Sequence, residues 1–348
     1  MVLPSGKHRS SPCPDVFWWK GKEPYFERIA NMAVYYVGAD VHSNNTELAV
    51  EYNKEIIRRF SVPTTIPTIR SALEELGGRC HLTFEEGPMA AWLYRNLKGT
   101  VESITVCDPR RNKLIACDGD KDDVIDSGKL AALLRGKFLR PVYHDHDAKQ
   151  LELKQWVKLY HDFVKSATQN INKIRGRCRG EGIRIPRRAV RDSVYRGQWL
   201  DGLESRVLAE QVRLLWQGYD TAALQARAAK KQLERRIRGN VVLQRWSELA
   251  GIGVIRAATI YSYLDTPWRF KKKNRLWKYC GVGLQRSVSG KDAKGKPKKG
   301  PLELAWRTNK MLKNAVMGAA MSAMRQKDNE FTRYYERMLS DGVTPGNA

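Results

Sequence analysis

Cysteine is scarce and scattered in this sequence of 348 residues: Cys13, Cys80, Cys107, Cys117, Cys178 and Cys280 contain no CxxC pair. That spacing argues against a zinc ribbon and against the disulfide framework of a secreted domain, leaving buried thiols in a reducing compartment as the expectation. No run of 18 apolar residues occurs, and the best stretch, Ile252 to Leu264, is broken by Arg256, so a membrane span is not expected. The first residues, Met1-Val2-Leu3-Pro4-Ser5-Gly6, lack the apolar centre of a signal peptide. No Gly-x-x-x-x-Gly-Lys-Ser/Thr phosphate loop is present. The six histidines show no zinc-binding spacing; His144 and His146 flank Asp145 in what reads as an interdomain loop. Acid is also in short supply. Asp+Glu number 37 against 62 Lys+Arg, giving a net charge of +25. Such an excess repels itself in isolation and is most easily explained by a polyanionic partner, DNA or RNA. With 42% hydrophobic and 28% charged residues the chain is globular, and its length suggests two or three domains.

Residues 1–31, rich in Pro, Ser, Gly and Lys around Phe17-Trp18-Trp19, read as an N-terminal extension. The region 32–140 has an α/β pattern. Tyr35 to Val41 is a short apolar run, hence a buried strand, followed by strands at Glu47–Glu51 and Ile56–Phe60. Helices are expected over 66–76 and 89–97, strands at His81–Glu85 and Ser103–Cys107, and a helix over 122–134. Three strands followed by alternating helices and strands give a mixed sheet flanked by helices. Region 141–244 reads as a helical linker, an irregular coiled coil or helical hairpin. Its helices span 151–174 and 203–237, with Leu203, Val207, Leu214, Leu224, Leu233 and Ile237 as apolar positions, and the basic stretch Arg175 to Arg191 separates them. Region 245–340 reads as mostly helical, interrupted by a basic loop from Arg286 to Gly300.

Against this scarcity, Asp118, Asp120, Asp122, Asp123 and Asp126 crowd into nine positions. A solvated turn before a helix N-terminus accounts for some of this. Asp40 and Glu85, however, each end a strand, and Asp123 and Asp126 share one face of a helix at i and i+3. Strand-end carboxylates and a helical pair can converge at the edge of a mixed sheet, offering the hard oxygens that Mg²⁺ or Mn²⁺ requires. Two such ions about 4 Å apart position a phosphodiester for in-line displacement.

The strand order and the Asp, Glu, Asp-x-x-Asp pattern resemble the RuvC-like branch of the RNase H fold. More narrowly, Tyr36-Val37-Gly38-Ala39-Asp40, Thr83-Phe84-Glu85-Glu86-Gly87 and Lys121-Asp122-Asp123-Val124-Ile125-Asp126 resemble the DEDD transposases of the Piv-invertase type, described as bridge-RNA-guided recombinases. The resemblance implies that Asp40, Glu85, Asp123 and Asp126 are metal-binding catalytic acids. Glu86 stands as the alternative to Glu85, because the family often has a single glutamate there.

Leu249-Ala250-Gly251-Ile252-Gly253 reads as the turn of a helix–Gly-x-Gly–helix hairpin, where Gly251 and Gly253 let backbone N–H groups approach a phosphate. A plain tight turn is the competing account. The following Phe270, Leu276, Tyr279, Gly281, Gly283 and Leu284 resemble the run after the same hairpin in the family. The family then carries Ser-Gly, whose serine is regarded as the nucleophile; by position this is Ser289, with Ser287 as the fallback. A proline usual after Gly-Leu is Gln285 here. Such chemistry requires the acids and the serine to meet in space, within one chain or across subunits. Arg286, Lys291, Lys294, Lys296, Lys298 and Lys299 form a cationic stretch around Ser289, suited to neutralising phosphates. Arg175 to Arg191 makes a second basic zone, and for Trp306 and Tyr334-Tyr335 core packing is the expected role over base stacking.

The resemblance thus implies an insertion-sequence transposase in the prokaryotic cytoplasm, at the nucleoid. It joins donor to target DNA through a phosphoserine-linked end, with a bridge RNA as guide, and works as a homo-oligomer, dimer or tetramer. A RuvC-like nuclease using water and Mg²⁺ is the first alternative, and a non-catalytic nucleic-acid-binding protein on a nuclease-like fold the second.

Overall fold

The computed structural model describes residues 33–111, 123–144, 147–291, 295, 297–305 and 308–344; the side chains of 111, 123–125, 287–289, 291 and 297–299 lie outside the description. The N-terminal extension, Asp118, Asp120, Asp122, Asp145, His146, Lys294, Lys296 and Trp306 also lie outside it. Two compact units divide at Asp145/His146. The regions read from sequence as linker and C-terminal domain share the second unit.

The first unit is built on a five-stranded sheet of β1 (Val34–Val41), β2 (Asn45–Tyr52), β3 (Glu55–Pro63), β4 (Arg79–Glu85) and β5 (Ser103–Cys107), in the order β3-β2-β1-β4-β5. β1 pairs antiparallel with β2 and parallel with β4, and β4 pairs parallel with β5. The β2–β3 turn places Asn53 and Lys54 at positive φ, 48° and 74°, as a two-residue hairpin turn requires. Side chains alternate across this sheet. Val37, Ala39, Leu48, Val50, Leu82, Phe84 and Val106 point to one face and form the core with helices α1 (Ile66–Glu74) and α2 (Ala90–Leu97). The opposite face is small and polar at its centre, and helix α3 (Asp123–Arg135) crosses it. There Leu130 packs with Cys107 and Leu139.

The second unit is organised by two 33-residue helices, α4 (Ala148–Gly180) and α7 (Arg206–Arg238), each about 50 Å long. They run antiparallel. Leu153 and Val157 near the start of α4 pack with Leu233 and Ile237 near the end of α7. Ile171, Ile174 and Cys178 at the far end pack with Leu208, Val212 and Trp216. Two short helices, α5 (Arg187–Arg191) and α6 (Ser193–Asp201), cap that far end. Buried Arg196 lies 4.0 Å over the Trp216 ring, and its Nη1 donates to Asp220 Oδ2 at 2.6 Å. The chain continues through α8 (Val241–Glu248), α9 (Gly253–Leu264) and α10 (Lys273–Tyr279). It ends in a hairpin of β6 (Leu284–Lys291) and β7 (Pro297–Leu304), then α11 (Lys310–Ala323) and α12 (Glu330–Ser340). No helix among the described residues is long and apolar enough to cross a membrane.

Three expectations are corrected here. The basic stretch does not interrupt the first long helix at Arg175; α4 runs to Gly180, because arginine is a good helix former and Ile174 and Cys178 keep the buried spacing. On α7, Leu233 and Ile237 are buried as expected, but Val207, Leu214 and Leu224 are exposed, and the rest of the buried stripe is Leu208, Val212, Trp216, Ala222, Ala226 and Ala229. Small residues there allow close approach, so alanines stand where the sequence reading expected leucines. The basic loop is a β-hairpin in its described parts, with Leu284 opposite Leu304 and Arg286 opposite Leu302.

Two groups of titratable side chains give expected outcomes. Burial pushes the Cys80 thiol up to about 12. Iodoacetamide at pH 8 should therefore leave Cys80 unmodified in the native protein and modify it after denaturation, which peptide mass spectrometry reads directly. Burial also lowers the pKa of His81, against a smaller opposing effect of Glu102, and of His161, against Asp162, from the ordinary 6.5. The unfolded chain then takes up protons first. The stability these groups contribute is full above about pH 6.5 and is lost as pH falls toward their folded values. Denaturation midpoints measured from pH 7.5 to 5 should decline less in a His81→Gln/His161→Gln double variant than in the parent.

Candidate active site on the polar face of the sheet

The register of the sheet decides which side chains share this face. Gly38 pairs with Thr83 and with Ala49, and both Asp40 and Glu85 lie two residues further along their strands. Asp40 and Glu85 therefore end neighbouring parallel strands on the face that Gly38 presents to α3. The fit there is close: a Cβ on Gly38 would lie 2.0 Å from the Ser127 carbonyl oxygen and 2.6 Å from the Ala131 nitrogen. Only glycine lets α3 rest directly on β1.

The direction of α3 follows from two contacts. Arg135, in its last turn, pairs with buried Glu51, which stands opposite Tyr36 at the start of β1. Ser127, Leu130 and Ala131 lie at Gly38. α3 thus runs antiparallel to β1. Two strand residues advance about 6.6 Å and four helical residues about 6 Å. The turn holding Asp123 and Asp126 accordingly lies level with Asp40 at the strand ends. The side chain of Asp123 is outside the described residues, and among the described residues no three metal-ligating side chains form a cluster.

The neighbours of these acids include residues that spacing did not reveal. His42, two positions beyond Asp40, has its Nε2 3.1 Å from Asp40 Oδ2. Glu47 stands directly opposite Asp40 on β2, on the same face. Arg59, paired with Ala49, also projects to this face and reaches α3, where a Cβ on Gly128 would come within 3.1 Å of its Nη2. Strand alternation carried forward from Asp40 would have identified His42; Glu47 and Arg59 needed the hairpin register.

Glu86 is distinguished from Glu85 by its surroundings. It follows the strand, its backbone N–H donates to the Cys107 carbonyl at 2.8 Å, and its carboxylate meets His144 Nε2. His144 is buried against Tyr94 of α2, with ring centroids 5.6 Å apart. His144 is the last described residue before the boundary between the two units at Asp145/His146, and its side chain packs into the first unit.

In the second unit α8, a turn over 249–252 and α9 form a helix–turn–helix, and its two glycines differ. Gly251, at φ 78°, faces α11, where a Cβ would sit 2.1 Å from the Ala319 carbonyl oxygen; close packing explains the glycine. Gly253, at φ 59°, has open space at its Cβ position and begins α9, whose N-cap residue Ile252 provides no side-chain cap. The backbones of Ser287 and Ser289 lie on β6, beside exposed Gly290 at φ 72°; their side chains are outside the described residues, as are those of Lys291, Lys298 and Lys299. Arg286 is exposed. Tyr334 is also exposed, with the Arg337 guanidinium 5.4 Å from its ring, which corrects its expected core role: α12 has no buried residue against which to pack it.

Two family models match this chain. One, the IS110-type DEDD transposase model, described as a transposase, covers residues 37–178. The other, described as the IS116/IS110/IS902 transposase family, covers residues 243–336. No curated protein matches the chain.

Proposed function

Because this chain belongs to the DEDD transposases of the IS110 family, we propose that it cuts and rejoins the DNA of an insertion sequence through a serine-linked intermediate, guided by a bridge RNA. The observation that supports the reading most is the pair of strand-end carboxylates, Asp40 and Glu85, beneath the first turns of α3 on the RNase H-like sheet. Asp40, Glu85, Asp123 and Asp126 would hold Mg²⁺ or Mn²⁺, to which hard carboxylate oxygens are suited. Glu47 opposite Asp40 adds to the local repulsion that a cation offsets. Bound there, the ion would neutralise charge developing on the scissile phosphate. Glu85 is preferred to Glu86, since it ends β4 on the face that Asp40 shares.

Ser289 supplies the nucleophile. Its Oγ forms a bond to phosphorus, the phosphorus–oxygen bond to one strand end breaks, and the departing sugar oxygen takes up a proton while the serine loses its own. The covalent end conserves the bond energy, so rejoining to another strand's hydroxyl needs no nucleotide hydrolysis. Gly253, Arg286 and the lysines of the hairpin, Lys291, Lys294, Lys296, Lys298 and Lys299, bind nucleic-acid backbone, and binding weakens steeply with salt. The protein acts as a homo-oligomer in the cytoplasm, at the nucleoid.

The test is a protein–DNA adduct that survives denaturation. It is expected in the parent and in Ser287→Ala and lost in Ser289→Ala. Nicked DNA without any adduct in the parent would favour the water-using nuclease. Sequencing of nucleic acid that co-purifies with the protein should return one discrete small RNA; random cellular RNA would remove the guide from the proposal.

A further inference from the structure

A cavity of about 490 Å³ opens in the second unit between α4, α7, α9 and α11. Its size falls within the roughly 300–1,000 Å³ of sites that enclose small ligands. Its walls are of three kinds. Tyr160 and Val164 on one side, with Ile255 and Met311 on the other, make apolar faces about a space between them. Arg256 and Lys230 bring positive charge, and the carboxylate of Glu234 is already matched by Lys230 at 3.6 Å. Asn314 offers an amide, with both donors and an acceptor. The open side of Gly253 also lies here, so the uncapped first turn of α9 is accessible.

The ring of His161 completes the wall. Thr259 Oγ1 donates its proton to the Ile255 carbonyl at 2.7 Å, so the 3.2 Å contact with His161 Nε2 has the imidazole as donor. That fixes the tautomer and leaves Nδ1 as an acceptor. Tyr160 and His161 meet edge to face, with centroids 5.2 Å apart and planes at 74°, so either ring can present its face without the other blocking it.

Apolar walls, an amide for a base edge, and two cations for a phosphate, Arg256 with its Nη1 donating to the Gly251 carbonyl at 2.5 Å and Lys230 beside Glu234, describe one ligand class. We propose that this cavity takes a single unpaired nucleotide of the bound nucleic acid, its base against Tyr160 and Met311 and its phosphate toward Arg256, Lys230 and Gly253. The proposal rests on the nucleic-acid function proposed above and deepens it. Aromatic stacking holds a base without regard to sequence, and the amide adds a preference among bases. DNA and RNA share this chemistry, so the probe must separate them.

The experiment uses the full chain with short single-stranded oligonucleotides that carry one photoreactive base, 4-thiouridine in RNA or 5-iododeoxyuridine in DNA. Cross-linked peptides are mapped by mass spectrometry. Cross-links to peptides containing Tyr160 or Met311, with either probe, are expected, and the probe that gives them identifies the strand. Val164→Trp, at the exposed rim, should lower that yield about tenfold and leave the thermal midpoint and the Ser289-dependent adduct in place; Met311→Trp fills the same space from α11 and should lower the yield as well. Cross-links confined to other peptides, or an unchanged yield in both folded variants, overturn the pocket. Because the adduct is read in parallel, loss of the pocket reading is distinguishable from loss of the recombinase reading.

Discussion

Asp40→Asn should reduce DNA strand cleavage about a thousandfold or more, the scale seen when a group acting on the reacting centre is removed. The change keeps the side chain's shape and removes its charge. Asp40 ends β1 on the face beneath α3, opposite Glu47 and next to Glu85, so its loss weakens cation binding where the scissile phosphate would be engaged. DNA affinity should stay within about twofold at fixed salt, because the attraction comes from an excess of +25 spread over the chain. Plasmid cleavage and gel-shift assays check the two halves, and a Mn²⁺-induced thermal shift that disappears in the variant checks the cation. Full cleavage by Asp40→Asn would remove the acids from the mechanism. Glu86→Gln is the internal comparison. It should leave cleavage within about tenfold and instead lower the denaturation midpoint, because the charged carboxylate beside buried His144 is replaced by a neutral amide.

Gly38→Ala carries the second large effect, and it touches no acid. The new methyl would need the space of the Ser127 carbonyl and the Ala131 nitrogen, both backbone atoms that cannot swing aside. Overpacking of this kind costs about 3 kcal/mol. The least costly relief is for α3 to move off β1, carrying Asp123 and Asp126 away from Asp40. Cleavage should therefore fall about a hundredfold even in the fraction that stays folded. Urea denaturation gives the first number and cleavage per folded molecule the second. A variant with parental stability and activity would show that α3 does not depend on this contact.

Much of the first unit was legible because a sheet with one apolar face writes its register into the sequence. Val37 and Ala39 alternate with Gly38 and Asp40, and Leu82 and Phe84 with Thr83 and Glu85, so the strand ends and the acids on them could be read directly. The second unit hid more. On α7 Leu233 and Ile237 are buried as read, but Val207, Leu214 and Leu224 are exposed while Ala222, Ala226 and Ala229 are buried, so side-chain size misled where closeness of approach decides. The segment from Leu284 to Leu304 is dense in Gly, Lys and Pro, which reads as loop, yet its ends pair as strands. Gly251 and Gly253 look equivalent in sequence; only the position of α11 separates a packing glycine from an open one. His144 gave no signal at all, because its partner Glu86 is 58 positions away.

The alternation along β1 has one more consequence, for the kinds of genetic change this protein can survive. Substitutions in the greasy layer can be matched by compensating changes across the core. An insertion or deletion of a single codon within β1 cannot, since every later side chain would swap sides. Either way the carboxylate of residue 40 would be driven into hydrocarbon, with Ala39 taking its place after an insertion and Val41 after a deletion. Drift in this stretch is thus confined to letter-for-letter replacement, and its length matters to the proposed site as much as any acid it bears.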